Sequence, residues 1–577
     1  MKTLLRAVCS AATVLAVLAV TALPASAAYV PITGSGSTWS QNAIEQWTSN
    51  VEQYGMRINY SGGGSTFGRN QFASGLTDFG VSEIPYGKDD GAASEARPKF
   101  PFAYMPIVAG GTAFMYNLEI GGRKVTNLRL SGDTVAKIFT NVITNWSDPA
   151  IKADNPGLTL PARKIVPVVR SDGSGTTAQL TTWMSSQHAS VWNAYCAKAG
   201  RSNPCGVTSI YPLLQGSAMT AQSGSQNVAG YVAQPSSVGA ITYVEYSYAR
   251  NLKFPVAKIR NAKDFYVEPT YQSVAVALMA AKINTDKSSP DYLTQDLQPV
   301  YTYNDARTYP LSSYSYMLIP VDEENARFKK SKGKTLGDFS YYFLCEGQQQ
   351  ADDLGYSPLP INLVKAGLDQ VKRIPGVDSQ AVDITKCNNP TFSSDGTNTL
   401  AKKAPYPPAC DKAGSTQCGT GTGGAPQDTP TTGGGGNTGG GGSNNGGGST
   451  GGGGSTGGGG TTGGTPATGA TSGSPTGGTG TGTGTGTPAG GAAPVVDPDT
   501  GQVISGGGTG AGGGSGQLVG DNSALAVPVT VGVQLDPTLK TVLIGLACAL
   551  LVGLTVGPPL IARRFSGGDR FGNGDRR

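Results

Sequence analysis

Between residues 29 and 405 the chain alternates two patterns of apolar and polar positions. MRINYSG (56–62), DFGVSE (78–83) and KIVPVVR (164–170) have strand character. VGAITYVEYSYA (238–249) reads as a strand turning into a helix or loop. FGRNQFASG (67–75) reads as helix, and TTAQLTTWMSSQ (176–187) carries Leu180, Trp183 and Met184 at i, i+3 and i+4, one face of a helix. Such alternation predicts α/β layers and not a β sandwich. No internal repeat shows in this part.

Two longer apolar runs lie outside that body. The first 28 residues carry Lys2 and Arg6, an apolar stretch, and Ala-Ser-Ala at 25–27. This is the pattern of a secretory signal peptide (1–28), cleaved after Ala27 or Ala28. Cys9 precedes the apolar run, which does not fit a lipid-modified mature N-terminus. Near the other end, TVLIGLACALLVGLTVGPPLIA (541–562) is long enough to span a bilayer as a helix, set at 538–562. Arg563, Arg564, Arg570, Arg576 and Arg577 follow it. A basic flank stays in the cytoplasm, so residues 563–577 are expected inside and the body outside.

Composition explains what joins body to anchor. Of 577 residues 86 are glycine, and they crowd between about Asp411 and Leu518 among Thr, Ser, Pro and Ala. Such a stretch has too little apolar surface to offset the entropy of ordering it. A disordered linker is therefore expected over 406–537, with a mean reach of ~60 Å for about 120 residues. That leaves 29–405 to fold, enough for two lobes.

The formal net charge is only +5, with no Lys/Arg block and no basic–aromatic interleaving, so nucleic-acid binding gains no support. Besides Cys9 and Cys548 there are six cysteines: Cys196, Cys205, Cys345, Cys387, Cys410 and Cys418. An even number in an exported chain points to disulfides. Among fifteen connectivities, neighbour pairing (196–205, 345–387, 410–418) is the expectation taken here. No CxxC spacing occurs and His188 is the sole histidine, so no metal site is expected. His188 itself reads as plain surface at a polar helix end.

The candidate chemistry sits where strands meet helices. Residues 170–177, RSDGSGTT, follow a strand and open a helix. Small residues let backbone N–H groups face an oxyanion, hydroxyls add donors, and Arg170 adds charge. A polar turn would look the same in isolation. Two further Gly/Ser turns, TGSGSTW (33–39) and YSGGGST (60–66), also open helices, at Thr38–Trp39 and Ser65–Thr66. Ser and Thr are ordinary caps and Gly an ordinary turn residue. Three such junctions in one α/β body suggest a ligand site outside the carboxyl ends of strands. GGGSTFGR lacks the Lys-Ser/Thr of a nucleotide P-loop, and no G-x-S-x-G elbow occurs at these turns.

The ordered set ITGSGSTW, INYSGGGSTFGRNQFASGLTDFGVSEIP, TVAKIFTNVITNWSDPAIKADNPG, VVRSDGSGTT, VGAITYVEYSYA, YPLSSYSYMLI and LGYSPLP resembles the substrate-binding proteins of high-affinity phosphate ABC transporters, the PstS type. The resemblance covers most of residues 32–370. It implies a two-lobed type II periplasmic-binding-protein fold with a hinge, lobe 1 at about 29–107 and 246–405 and lobe 2 at about 108–245. It implies phosphate held by Thr38 and Trp39, Ser65, Arg170, Ser174, Gly175 and Thr176, with Asp172 supporting the arginine. Where the family carries an aspartate this chain has Glu83, whose extra methylene moves the carboxylate by roughly 1.5 Å. Where the family usually has Phe, this chain has Trp39. No cofactor and no catalysis are implied. The implied partners are inorganic phosphate, permease subunits of an ABC importer and, through the C-terminal helix, the membrane. A surface-displayed oxyanion-binding or adhesion module and a phosphate-ester hydrolase are the competing readings.

Overall fold

A computed structural model describes residues 29–88, 97–380 and 382–425. The expected signal peptide, most of the expected linker, the 538–562 span and the basic tail lie outside the described residues. Among the described residues no helix is long and apolar enough to cross a membrane.

One mixed eight-stranded sheet organises the body. Its strands are β1 (Ile32–Gly36), β2 (Ile58–Ser61), β3 (Phe79–Ser82), β4 (Phe102–Tyr116), β5 (Val166–Arg170), β6 (Thr220–Gln222), β7 (Ala240–Glu245) and β8 (Ser312–Pro320). The order across the sheet is β2-β1-β3-β8-β4-β7-β5-β6. The edges are parallel: β1 with β2 and β3, and β5 with β6 and β7. The centre, β3-β8-β4-β7, is antiparallel.

β4 and β8 are central because their sequences, FAYMPIVAGGTAFMY and SSYSYMLIP, are small or apolar on both faces. All of β8 and all of β4 after its first residue are buried. β4 pairs with β8 over Phe102–Gly111 and with β7 over Thr112–Tyr116, so one strand serves both halves of the sheet. The strands β2-β1-β3-β8 lie on one side of β4 and β7-β5-β6 on the other, and these two sides are called lobe 1 and lobe 2.

Helices cover the faces, and those that matter for the cleft start at strand ends: α1 (Gln41–Glu52), α2 (Ser65–Ala73), α3 (Gly175–Gln187), α4 (Gly224–Ala233) and α5 (Tyr246–Asn251). Leu180, Trp183 and Met184 of α3 are all buried, as their spacing predicts. The three disulfides join Cys196 to Cys205, Cys345 to Cys387 and Cys410 to Cys418.

Two expectations need correction. The linker does not begin at 406. Arg129 donates to the carbonyls of Cys410 (2.9 Å) and Ser415 (2.8 Å), and Lys258 pairs with the buried Asp411 at 2.7 Å. The amide of Val256 donates to Thr422 Oγ1 at 3.1 Å. Residues 406–425 are thus packed, because a disulfide and a few polar anchors order a segment whose composition gives little apolar drive. Beyond residue 245, Tyr246, Tyr248, Ala249, Phe254 and Val256 share a core with Val168 and Val228, while the Tyr248 hydroxyl donates to the Thr38 carbonyl and Asn42 Nδ2 donates to Ser247 Oγ at 2.7 Å. Residues Lys258–Arg260 then pair with Arg129 and Leu130. His188 is not plain surface. It is half-buried between two helices, edge-on to Trp183 with ring centres 4.6 Å apart, and burial lowers its pKa.

Candidate functional site

The first turn is not a helix cap. α1 begins at Gln41, later than Thr38–Trp39, and its preceding Ser40 makes no side-chain cap bond. Ser37 Oγ instead accepts the amide of Trp39 (2.9 Å) and donates to Glu83 Oε2 (2.7 Å). At the second turn Gly64 precedes α2 with φ +95°, a conformation open to glycine. A Cβ there would also lie 2.6 Å from Asp172 Oδ2 in the opposite lobe. Ser65 Oγ, freed from capping, donates to Glu83 Oε2 at 2.7 Å. Only the third turn is an ordinary cap, with Ser174 Oγ accepting from the amide of Thr177 at 3.2 Å. The three junctions look alike in sequence and differ in structure: the cap positions of the first two fall on Ser40, whose hydroxyl partners Ser315, and on Gly64, while Ser37 and Ser65 serve Glu83.

Glu83 is the centre of the lobe 1 wall. It is 1% exposed, and Ser37, Ser65 and Ser315 all donate to it, the last to Oε1 at 2.8 Å. Burial raises its pKa, opposed by the three hydroxyls and by the charge of Arg170. The carboxylate is close enough to α3 that a Cβ on Gly175 would lie 2.0 Å from Oε2 and 2.4 Å from Ser65 Oγ. Glycine at 175 is therefore required by close approach.

Arg170 is the centre of the lobe 2 wall and is 2% exposed. Nε donates to Asp172 Oδ1 at 2.7 Å, Nη2 donates to Asp172 Oδ2, and Nη1 donates to Ser225 Oγ at 3.2 Å. A guanidinium has five N–H groups, so two have no partner among the described residues. Asp172 Oδ1 also accepts the amide of Gly224 at 2.9 Å, which fixes the carboxylate against the start of α4. The first amides of α3, at Gly175 and Thr176, have no carbonyl one turn back. Thr176 Oγ1 is buried with no hydrogen-bond partner among the described residues.

The walls meet. Thr38 Oγ1 and Ser225 Oγ are 2.8 Å apart, and the amide of Ser225 donates to Thr38 Oγ1 at 3.1 Å. The amide of Thr66 donates to the Gly173 carbonyl at 3.1 Å, and Gln179 Nε2 to the Glu83 carbonyl at 2.9 Å. Thr38, Ser65, Glu83, Arg170, Asp172 and Gly175 thus fall in one cluster, all buried except the half-buried Asp172, and Thr176 follows Gly175 in α3. Several expected donors are otherwise engaged: the amide of Trp39 on Ser37, the amide of Ser174 on the Ser209 carbonyl at 2.9 Å, the Ser65 hydroxyl on Glu83, and the Thr38 hydroxyl, paired with Ser225. The Trp39 ring packs edge-on against Tyr356 behind the turn.

Ser225, Ser37 and Ser315 were not singled out by sequence. QSGSQNV (222–228) has the same Gly/Ser opening as the other three turns and could have revealed Ser225. Ser37 lies inside the first turn. Ser315 has no local signal, since only the pairing of β8 with β3 and β4 carries it to Glu83.

An α/β body with a buried, donor-rich cradle where strands open into helices has the character of a periplasmic-type binding protein, and residues 21–346 match the PBP superfamily domain. The chain is 31% identical over 346 residues to the phosphate-binding protein PstS of Methanocaldococcus jannaschii, covering 59% of this chain and 85% of that one. It is 34% identical over 338 residues to the protein of the same name from Xylella fastidiosa strain Temecula1, with 58% and 83% covered. It is 31% identical over 333 residues to phosphate-binding protein PstS 3 of Mycobacterium tuberculosis strain H37Rv, with 56% and 82% covered. The chain belongs to the PstS-type substrate-binding proteins.

Proposed function

We propose that this protein captures inorganic phosphate outside the cytoplasm, between its two lobes, for delivery to an ABC importer. The observation that carries the reading is a buried guanidinium pinned by Asp172 and Ser225 next to a helix start whose Gly175 lies against Glu83 and Ser65. Arg170 supplies charge and paired donors, while Gly175 and Thr176 supply amides at the positive end of α3. Thr38, Ser65 and Thr176 supply hydroxyls. The role assigned to Glu83 is to accept a hydrogen bond from a protonated oxygen of the ligand. Phosphate near neutral pH has such an oxygen and sulfate has none, so the acid opposes sulfate by repulsion and an unpaired acceptor.

Charge-assisted hydrogen bonds contribute roughly 1.5–3 kcal/mol each, so six exceed the ~8 kcal/mol of a micromolar complex before closure and desolvation are subtracted. Micromolar or tighter binding is expected. The finer localisation, anchoring by the 538–562 helix, belongs to this proposal and rests on the sequence pattern alone. Calorimetric titration of the purified chain with phosphate and with sulfate tests the function. Saturable one-to-one binding of phosphate and weak binding of sulfate are expected, and equal binding of both removes the role of Glu83. Turnover of a generic phosphate ester would instead favour the hydrolase.

A further inference from the structure

Glu83 is one methylene longer than the family's aspartate, so its selectivity depends on how that longer side chain is held. A flexible buried glutamate would sample several rotamers and discriminate poorly. Here each of its oxygens is tied from a different part of lobe 1. Ser37, from the turn after β1, donates to Oε2 at 2.7 Å, and Ser315, from β8, donates to Oε1 at 2.8 Å. Both serines are 1% exposed or less.

Neither serine caps a helix, and Ser37 Oγ also accepts the amide of Trp39 at 2.9 Å. Ser37 precedes a helix without capping it. Ser315 lies at an irregularity of the sheet, where the pairing of β8 with β4 shifts register between Ser315 and Tyr316. Such shifts re-aim side chains. Ser315 Oγ also lies 3.0 Å from Ser40 Oγ. A hydroxyl can donate or accept, so the pair Ser40–Ser315 can turn either a donor or an acceptor toward Oε1. The carboxyl group can then be held in one place whether or not it carries a proton. Ser65 differs from both: it stands beside Gly175, where its one proton can serve either Glu83 or a ligand.

We propose that Ser37 and Ser315 are positioning residues that hold Glu83 against α3 and thereby set the preference of the cradle for a protonated oxyanion over one without protons. This rests on the phosphate-binding reading. Neither serine need touch the ligand.

The test measures phosphate and sulfate affinities by calorimetry on the full chain, for wild type, Ser37→Ala, Ser315→Ala, Glu83→Gln and the double variant Ser37→Ala/Glu83→Gln, with thermal melts to confirm folding. Both serine variants should still bind phosphate, with the phosphate-to-sulfate affinity ratio reduced about 10-fold or more. Ser37→Ala should change that ratio no further once Glu83 is glutamine, an outcome that a purely structural role for Ser37 does not give. If folded serine variants keep the wild-type ratio, or if Ser37→Ala shifts it equally in both backgrounds, the positioning role is wrong and the phosphate reading stands. If the wild-type chain binds no phosphate, both fall.

Discussion

The two walls of the cleft carry opposite charges and stabilise them in opposite ways. On lobe 2, Arg170 is locked into a two-bond pair with Asp172, itself fixed by the amide of Gly224. On lobe 1, Glu83 has only hydroxyl partners. A guanidinium cannot lose its proton, so lobe 2 is a fixed donor surface. A buried carboxyl group surrounded by hydroxyls can keep or release one, so lobe 1 is an adjustable acceptor surface. The contrast suits an anion that itself carries protons: one wall recognises its charge and the other its protonation.

The largest effect should come from breaking the fixed wall. Arg170→Ala removes the paired donors and leaves Asp172 unpaired and largely buried. Phosphate affinity should fall more than ~100-fold by calorimetry, and the melting temperature should drop as well. Breaking the adjustable wall should act on selectivity. Glu83→Ala is expected to keep much of the phosphate affinity and to improve sulfate binding by about 10-fold or more, read as a competition ratio. Unchanged selectivity would remove the role given to that acid. Asp172→Asn keeps the shape of the support and removes its charge, so phosphate affinity should fall about 10-fold.

A smaller effect sharpens the comparison from behind the site. Glu245 ends β7 opposite Thr112, where β4 passes from one lobe to the other. Its Oε2 accepts the amide of Ser247 at 2.7 Å, and a Cβ at Gly110 would lie 3.1 Å from its Oε1. Burial pushes its pKa well above the ordinary glutamate value, opposed by Ser247, the Tyr246 amide and Tyr356. A carboxyl group raised on folding binds its proton more tightly when folded. Its contribution is therefore fully present below the ordinary carboxylate range and is lost as pH rises toward the folded value. Glu245→Gln should match wild type in urea unfolding at acid pH and exceed it near neutrality. A constant offset at every pH would contradict the assignment.

Much of this architecture was legible in the chain, and the reasons are local. The strands at 58–61, 79–82 and 166–170 and the helix at 175–187 follow from apolar spacing and from Gly/Ser breaks. Arg170, Asp172, Gly175 and Thr176 are adjacent in sequence, so one strand–turn–helix unit places them together. Illegible were the contacts that only the assembled sheet creates. Ser315 reaches Glu83 from more than two hundred residues away. Whether a serine caps its helix or serves a carboxylate depends on what the other strands bring near it. The packed segment 406–425 was hidden for a different reason: its order comes from one disulfide and from scattered partners such as Arg129, Lys258 and Val256.

The central claim is that turns distant in sequence close around one small, partly protonated oxyanion. A crystal structure of the chain grown with phosphate tests it most directly. Tetrahedral density should lie within hydrogen-bond distance of Arg170, Ser65 and Thr176, with one oxygen against the Glu83 carboxyl group. Phosphate bound elsewhere on the molecule, with Arg170 and Glu83 making no contact to it, would contradict the account.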